Sequence, residues 1–468
     1  MLSILRQYFP IRNMLFFFLE GCVIFSCFLL STAILTVSNS YWFDLMLILR
    51  IVLITAILQT CLYYNDLYDF DIASQIPEII IRLLQSLGVA SIFLAGVYFL
   101  FPLVIIDQKI YILSVCFLIF FIIFWRIGYL HILNKGMFNH RIIILGSSKL
   151  AKDIYKKITR TIDCGYTVCA VIPDEPDKAT DRLPENRLPE KLMVKQKNKT
   201  LGEISKIYGI NKIIVAFKEK RGRFPTQELI NCRTEGIDVI SGSAFYEMLT
   251  GKVLVREIEP SWLIFSKGFQ KSLLKAGMKR MQDIILASLL LILLSPLLLI
   301  VAILIKMDSK GPVLFAQDRV GGRKKEYMMH KFRSMVQDAE KLTGPVWAGN
   351  NDNRITRVGR VIRKYRIDEL PQLWEVLRGT MSLVGPRPER KFFTDQLEKE
   401  IPFYAQRFNV KPGLTGWAQV CYDYGATVED AVEKLNYDLF YIKNMSFALD
   451  MVILLKTVKT VLFGKGAR

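Results

Sequence analysis

Histidine is almost absent from this chain: His131, His140 and His330 are the three in 468 residues. A His-based metal cage or a catalytic triad is therefore not expected. The eight cysteines form no CxxC pair and have no histidine at metal-site spacing, so they read as small hydrophobes in a reducing compartment. The first apolar run follows Arg6 and Arg12 but is not followed by a small-residue cleavage site, which points to a retained span rather than a signal peptide. The GxGxxG fingerprint is missing too. The one strand-to-helix turn of that type, Leu145-Gly146-Ser147-Ser148, has a single glycine, which argues against a pyrophosphate site there.

What is present is apolar length and positive charge. Hydrophobic residues make up 52% of the chain, and Lys+Arg outnumber Asp+Glu by 62 to 43, a net charge of +19. Such a balance favours phosphates or anionic headgroups. Nucleic acid is set aside, because a membrane protein already accounts for the basicity. Residues 1–135 hold four apolar stretches, about 14–35, 43–62, 79–101 and 110–130, each about long enough for a hydrocarbon core of roughly 30 Å. Lys and Arg gather before the first and after the fourth, so both ends are expected on the cytoplasmic face. Glu20, Asp44 and Arg50, near span ends, are expected to reach for the interface.

Residues 136–255 alternate strands and helices, which predicts a Rossmann-like, doubly wound α/β domain without a catalytic role. The stretch 174–199 is rich in Pro and charge and reads as an exposed loop. Residues 256–280 form an interfacial linker, with Trp262, Phe265 and Phe269 beside Lys271, Lys275, Lys279 and Arg280. Residues 281–306 form a fifth apolar run. Ser295-Pro296 at its centre removes a helix hydrogen bond and is expected to kink or break the helix there, and the Ser295 hydroxyl can satisfy the freed carbonyl. Cations flank both ends, so a re-entrant helix that dips in and returns fits better than a straight span.

Residues 307–468 hold the residues with chemistry. Asp368 and Glu369 follow a run of cations that includes Arg354, Arg357, Arg360, Arg363 and Arg366. Read locally, the pair starts a helix, with Asp368 as N-cap. Read chemically, it is a nucleophile and a metal ligand inside a phosphate-binding patch, and Asp368 is expected to stay ionised. Lys331 and Arg333 would share one face of a strand. Arg387 is fixed between Pro386 and Pro388, which suits a preorganised phosphate contact. Trp417 and Gln419, beside the turn Pro412-Gly413-Leu414-Thr415-Gly416, could shape a base or sugar pocket.

Five motifs occur in order over about 275–468: Ser295-Pro296, Lys331-Phe332-Arg333-Ser334-Met335, Asp368-Glu369, Gly385-Pro386-Arg387-Pro388 and Pro412-Gly413-Leu414-Thr415-Gly416. Together they resemble the bacterial polyprenyl-phosphate hexose-1-phosphate transferases. The resemblance implies transfer of a sugar-1-phosphate from a UDP-sugar to undecaprenyl phosphate, with UMP released and a phospho-sugar carried on Asp368. It implies Mg²⁺ or Mn²⁺ at Glu369, phosphate contacts from Lys331, Arg366 and Arg387, and a homodimer in the bacterial inner membrane with the catalytic part in the cytoplasm. The fold expected is a four-helix transmembrane bundle, a Rossmann-like domain and a mainly helical catalytic domain carrying a re-entrant helix. The rival readings are a membrane glycosyltransferase that releases UDP and a non-enzymatic nucleotide-sensing scaffold.

Overall fold

The computed structural model describes residues 11–36, 45–70, 72, 75–137, 139–161, 163–173, 192, 200–217, 224–257, 263–264, 266–269, 272–336, 354–422, 425 and 427–463. Asp44, Trp262, Phe265, Lys271 and nearly all of the 174–199 stretch lie outside them. The chain forms two compact units, Arg6–Leu249 and, for the remainder, Thr250–Arg468.

The first unit opens with helices α1 (Ile11–Leu35), α2 (Leu45–Tyr64), α3 (Ile76–Leu100) and α4 (Gln108–Asn134). All four are long and apolar enough to cross a membrane. They share a core that includes Phe16, Phe28, Ile54, Leu58, Leu118 and Ile122. Glu20 does not reach for the interface. It is fully buried and paired with Arg126 of α4 at 2.7 Å. Arg126 also donates to the Leu67 carbonyl at 2.5 Å and lies over the rings of Phe16 and Tyr68. The cost of desolvation would draw either charge back to water if it were alone; paired and hydrogen-bonded, both stay inside. Arg50 turns to the Ile105 carbonyl at 3.1 Å.

The same unit continues with β1 (His140–Leu145), α5 (Lys149–Arg160), β2 (Tyr166–Ile172), α6 (Leu201–Tyr208), β3 (Lys212–Val215), α7 (Thr226–Thr234), β4 (Asp238–Ser241) and α8 (Gly242–Thr250). The strands pair in parallel in the order β2-β1-β3-β4. Gly146 ends β1 with φ 109°, and a Cβ there would overlap the Ala216 backbone. The glycine serves a close approach between β1 and the end of β3, and Ser148 donates to the same Ala216 carbonyl at 2.7 Å.

The second unit is built on α9 (Leu273–Asp308), which runs through Pro296 without a break. Pro296 has no N–H for the Ile292 carbonyl, and the Ser295 hydroxyl donates to that oxygen instead at 2.8 Å. The exposed face is apolar, as Ile292 (74%) and Leu293 (70%) illustrate. After α9 come β5 (Leu314–Val320), β6 (Glu326–Phe332), α10 (Arg357–Lys364), a 3₁₀ turn (Ile367–Gln372), α11 (Leu373–Arg378) and β7 (Ser382–Val384). The chain then forms α12 (Lys391–Glu400), β8 (Gly413–Thr415), α13 (Trp417–Cys421), α14 (Val428–Asn444) and α15 (Phe447–Leu462).

Both halves of α9 are fastened to this unit. Before the apolar run, Arg280 donates to the carbonyls of Val376 (2.5 Å) and Leu377 (2.6 Å). Asp283 accepts from Ser382 (2.8 Å) and the Leu383 amide (3.1 Å). Near the other end, Val301 and Ile305 pack with Phe332 and Ile362. Asp308 accepts from the Val358 amide at 3.0 Å in the first turn of α10, whose N-cap is Thr356.

Candidate functional site

Strand β6, the 3₁₀ turn and the loop after β7 converge on Glu369. The turn is entered through Arg366, a non-glycine residue with φ 52°. Left-handed backbone at such a residue costs about 1 kcal/mol or more and persists only where other contacts enforce it. Here it reverses the chain after α10 and brings Arg366 Nη1 to 3.8 Å from Glu369. Arg366 is the N-cap, so Asp368 lies one residue inside the turn, and the helix it begins is 3₁₀ rather than α. The expectation that Asp368 caps the helix is thus corrected, because the left-handed residue starts the turn earlier.

Glu369 is buried, and cations take up both its oxygens. Arg387 Nη2 lies 2.6 Å from Oε1 and Nη1 3.5 Å from Oε2, while Lys331 Nζ is 3.4 Å from Oε1. Burial opposes the charged form, but Arg387 and Lys331 outweigh it and hold this carboxyl well below the usual range. Asp368 differs. It is half-buried, with no hydrogen bond or ion pair to its carboxylate among the described residues. Burial, then the negative charge of Glu369, push its pKa up to about 6, against the pull of Lys331 and Arg363. Its carboxyl is thus raised where that of Glu369 is lowered, because the arginines serve Glu369 first. Burial also lowers the Lys331 ammonium below its ordinary value, opposed by Glu369.

Arg387 is placed by backbone. The Gly385 amide donates to Thr415 O and the Gly413 amide to Pro386 O, both at 2.9 Å. A Cβ at Gly413 would overlap the Gly385 nitrogen, so glycine there permits the contact of β7 with β8. Arg407 was not singled out by sequence. It is buried, donates to the Arg387 carbonyl (2.9 Å), the Tyr404 hydroxyl (2.5 Å) and Asp438 (3.0 Å), and pins the Arg387 loop from behind. Its only sequence signal is an arginine in an otherwise apolar-faced segment.

Other expected residues lie elsewhere. Arg333 does not join Lys331. It is buried and donates to Ser309 O (2.7 Å), Ser309 Oγ (2.9 Å) and Lys310 O (2.9 Å), so it ties down the C-terminal end of α9. β6 ends at Phe332, which releases Arg333 from the strand. Trp417 is buried: its Nε1 donates to Gly251 O at 2.7 Å, and Lys456 sits 5.0 Å from its ring. Gln419 reaches Leu414 O at 3.5 Å. The protein itself covers the Trp417 indole, while Gln419 stays partly exposed. Arg354 precedes α10 and pairs its amide-level neighbours, with Val336 donating to its carbonyl at 2.9 Å. Its side chain is not among the cations placed on Glu369.

Glu369 is taken by cations, and no group of three or more His, Cys, Asp or Glu comes together among the described residues. What the arrangement offers is one unpartnered carboxylate, Asp368, beside a clamped one that keeps Lys331 and Arg387 oriented.

The family described as bacterial sugar transferase matches residues 274–464. A UDP-N-acetylgalactosamine-undecaprenyl-phosphate N-acetylgalactosaminephosphotransferase from Aeromonas hydrophila is 46% identical over 51% of this chain and 56% of its own length. An undecaprenyl-phosphate glucose phosphotransferase from Komagataeibacter xylinus is 43% identical over 40% of this chain and 36% of its own length. The chain thus spans about half, or less, of these two relatives. An exopolysaccharide production protein, PSS, from Rhizobium leguminosarum bv. phaseoli is 43% identical over 40% of this chain and 98% of its own length. The matched residues contain α9, the dyad and the Arg387 loop, and the chain belongs to the bacterial sugar transferase family.

Proposed function

We propose that this protein transfers a sugar-1-phosphate from a UDP-sugar to undecaprenyl phosphate, the first step of an exopolysaccharide, O-antigen or capsule. The observation that carries the reading is the unequal dyad: Asp368 unpartnered, Glu369 held by Arg387, Lys331 and Arg366. Relatives named as undecaprenyl-phosphate sugar phosphotransferases support it. In the first step an Asp368 oxygen attacks the β-phosphorus of the UDP-sugar. The bond from that phosphorus to the bridging oxygen breaks, and UMP leaves with the electron pair. In the second step a phosphate oxygen of undecaprenyl phosphate attacks the same phosphorus. The bond to Asp368 breaks, which gives undecaprenyl-diphospho-sugar and returns the carboxylate. Lys331, Arg366 and Arg387 meet the charge that develops on the phosphoryl oxygens, and Glu369 positions them.

Mg²⁺ or Mn²⁺ belongs to the proposal as a companion of the donor diphosphate, entering as part of the substrate rather than as a resident cofactor. Asp368 is the one dyad carboxylate open to it.

In this proposal α9 is re-entrant. At about 1.5 Å per residue its 36 residues extend about 54 Å, yet both halves bond to one folded unit. A helix crossing the bilayer would carry its ends to opposite sides. The α1–α4 helices form a transmembrane bundle, and the catalytic part faces the cytoplasm, where nucleotide sugars are made. The protein acts as a homodimer in the bacterial inner membrane. The Rossmann-like part has no catalytic role in this proposal, its first strand-to-helix turn carrying a single glycine in place of the dinucleotide fingerprint.

The deciding experiment incubates membranes with undecaprenyl phosphate, Mg²⁺ and a panel of UDP-sugars. Release of UMP, lost in Asp368→Asn, supports the proposal. Release of UDP would indicate a glycosyltransferase, and binding without turnover a nucleotide-sensing scaffold.

A further inference from the structure

The second unit contains a cavity of about 860 Å³ that none of Lys331, Asp368, Glu369 and Arg387 lines. One wall is the start of α9, from Ser272 to Asp283. Another is the turn between β5 and β6, and Lys411 and Tyr441 complete it. The charge on these walls is unbalanced. Its two carboxylates are engaged: Asp283 with Ser382 and the Leu383 amide, Glu326 with Lys391 at 2.7 Å. Lys275, Arg323, Lys325 and Lys411 have no side-chain hydrogen bond or ion pair among the described residues. Partial burial and the neighbouring Arg280 lower the Lys411 ammonium below its ordinary value, opposed by Asp283, as expected where cations outnumber carboxylates.

The outer face of the same helix is apolar. Leu274 is 75% exposed, with Met278 and Met281 also exposed, and this surface runs on into the apolar stretch from Ile284. Cations toward a cavity and unburied apolar side chains beside it match one class of ligand, an amphiphile with a phosphate head.

We propose that the cavity binds the phosphate headgroup of an anionic phospholipid, whose acyl chains lie along the exposed face of α9. The site is separate from the dyad, so this lipid is a bound companion and not a reactant. The proposal rests on the reading of α9 as membrane-embedded.

The test uses the full chain in neutral detergent, titrated with short-chain phosphatidylglycerol while thermal unfolding is followed. Short-chain phosphatidylcholine and UMP serve as parallel probes, and the variant is Lys325→Gln/Lys411→Gln. Phosphatidylglycerol is expected to raise the unfolding temperature of the wild type. The variant should need at least about tenfold more lipid for the same shift. Phosphatidylcholine should give no comparable shift, and UMP should not compete. Equal responses from wild type and variant would overturn the proposal, as would an equal response to phosphatidylcholine. Competition by UMP at Lys411 would make the cavity a nucleotide site and overturn it too. UMP release from a UDP-sugar, assayed on the same variant, separates the two readings. Turnover with no lipid response sinks the cavity alone. A lipid response without turnover in the wild type sinks the proposed reaction alone. If the wild type leaves the membrane fraction in carbonate wash, the membrane reading beneath the proposal has failed.

Discussion

Arg407 holds Arg387 by its backbone: the buried guanidinium donates to the Arg387 carbonyl at 2.9 Å while Asp438 neutralises it at 3.0 Å. The arginine that meets Glu369 is thus aimed by a second arginine behind it. Arg407→Met should leave Asp438 buried without its partner and cost about 3–5 kcal/mol, read as a lowered unfolding temperature. Arg407→Met/Asp438→Leu should recover most of that stability. UMP release should stay roughly tenfold or more below wild type in both variants. Full recovery of the rate in the double variant would reduce Arg407 to a structural role.

In the proposed reaction Asp368 must be ionised to attack, and its pKa is pushed up to about 6 from an ordinary 3.8. UMP release should therefore fall as pH drops through about 6. Glu369 is the second largest contributor to that rise, so Glu369→Gln should move the acid limb to lower pH while weakening donor binding. A limb that stays put in this variant would show that the titrating group is not Asp368.

The same shift has a consequence for stability. A carboxyl with a folded pKa above its unfolded value disfavours folding when ionised, so its penalty is full above about pH 6 and fades as pH falls toward 3.8. Asp368→Asn should raise the unfolding temperature at pH 8 and lose UMP release by about 10³-fold or more, some 4 kcal/mol. Near pH 4 the stability difference should close.

Glu20 and Arg126 form a fully buried pair within the apolar helices. Glu20→Leu should cost about 3–5 kcal/mol by stranding Arg126, and Glu20→Leu/Arg126→Leu should return much of it. Thermal unfolding in detergent micelles measures both. Equal stability of the single variant and the wild type would mean that Arg126 finds water or another acceptor.

The re-entrant reading of α9 predicts that its two flanks face the same compartment. In a chain freed of its own cysteines, Lys275→Cys and Lys310→Cys should both react with a membrane-impermeant maleimide from one side only. Labelling from opposite sides would establish a crossing helix.

Periodicity made the elements legible where local pattern decides them. The alternation of strands and helices read over 136–255 corresponds to β1–β4 with α5–α8 between and after them. The cationic surroundings of Asp368 and Glu369 were also legible, because Arg366 lies three residues away and Arg387 eighteen. The division between the two carboxylates was not, since it depends on which of them three separate segments can reach. Contacts across long sequence separation stayed hidden as well. Glu20 and Arg126 lie 106 residues apart, and Trp417 meets Gly251 over 166. Arg333 looked like a partner of Lys331 because strand alternation was extended one residue past the end of β6.

The fastening of α9 at both halves has a mechanical consequence. A helix bonded to one domain through Arg280 and Asp283 at one end, and through Asp308 and Arg333 at the other, cannot tilt without turning that domain. With α9 embedded as proposed, changes in bilayer thickness or lateral pressure on its exposed apolar face would be transmitted as rotation of the dyad relative to the lipid surface. Under the proposed reaction the thickness of the membrane then becomes a variable of turnover, with an optimum that lies where the reach of Asp368 matches the depth of a lipid phosphate.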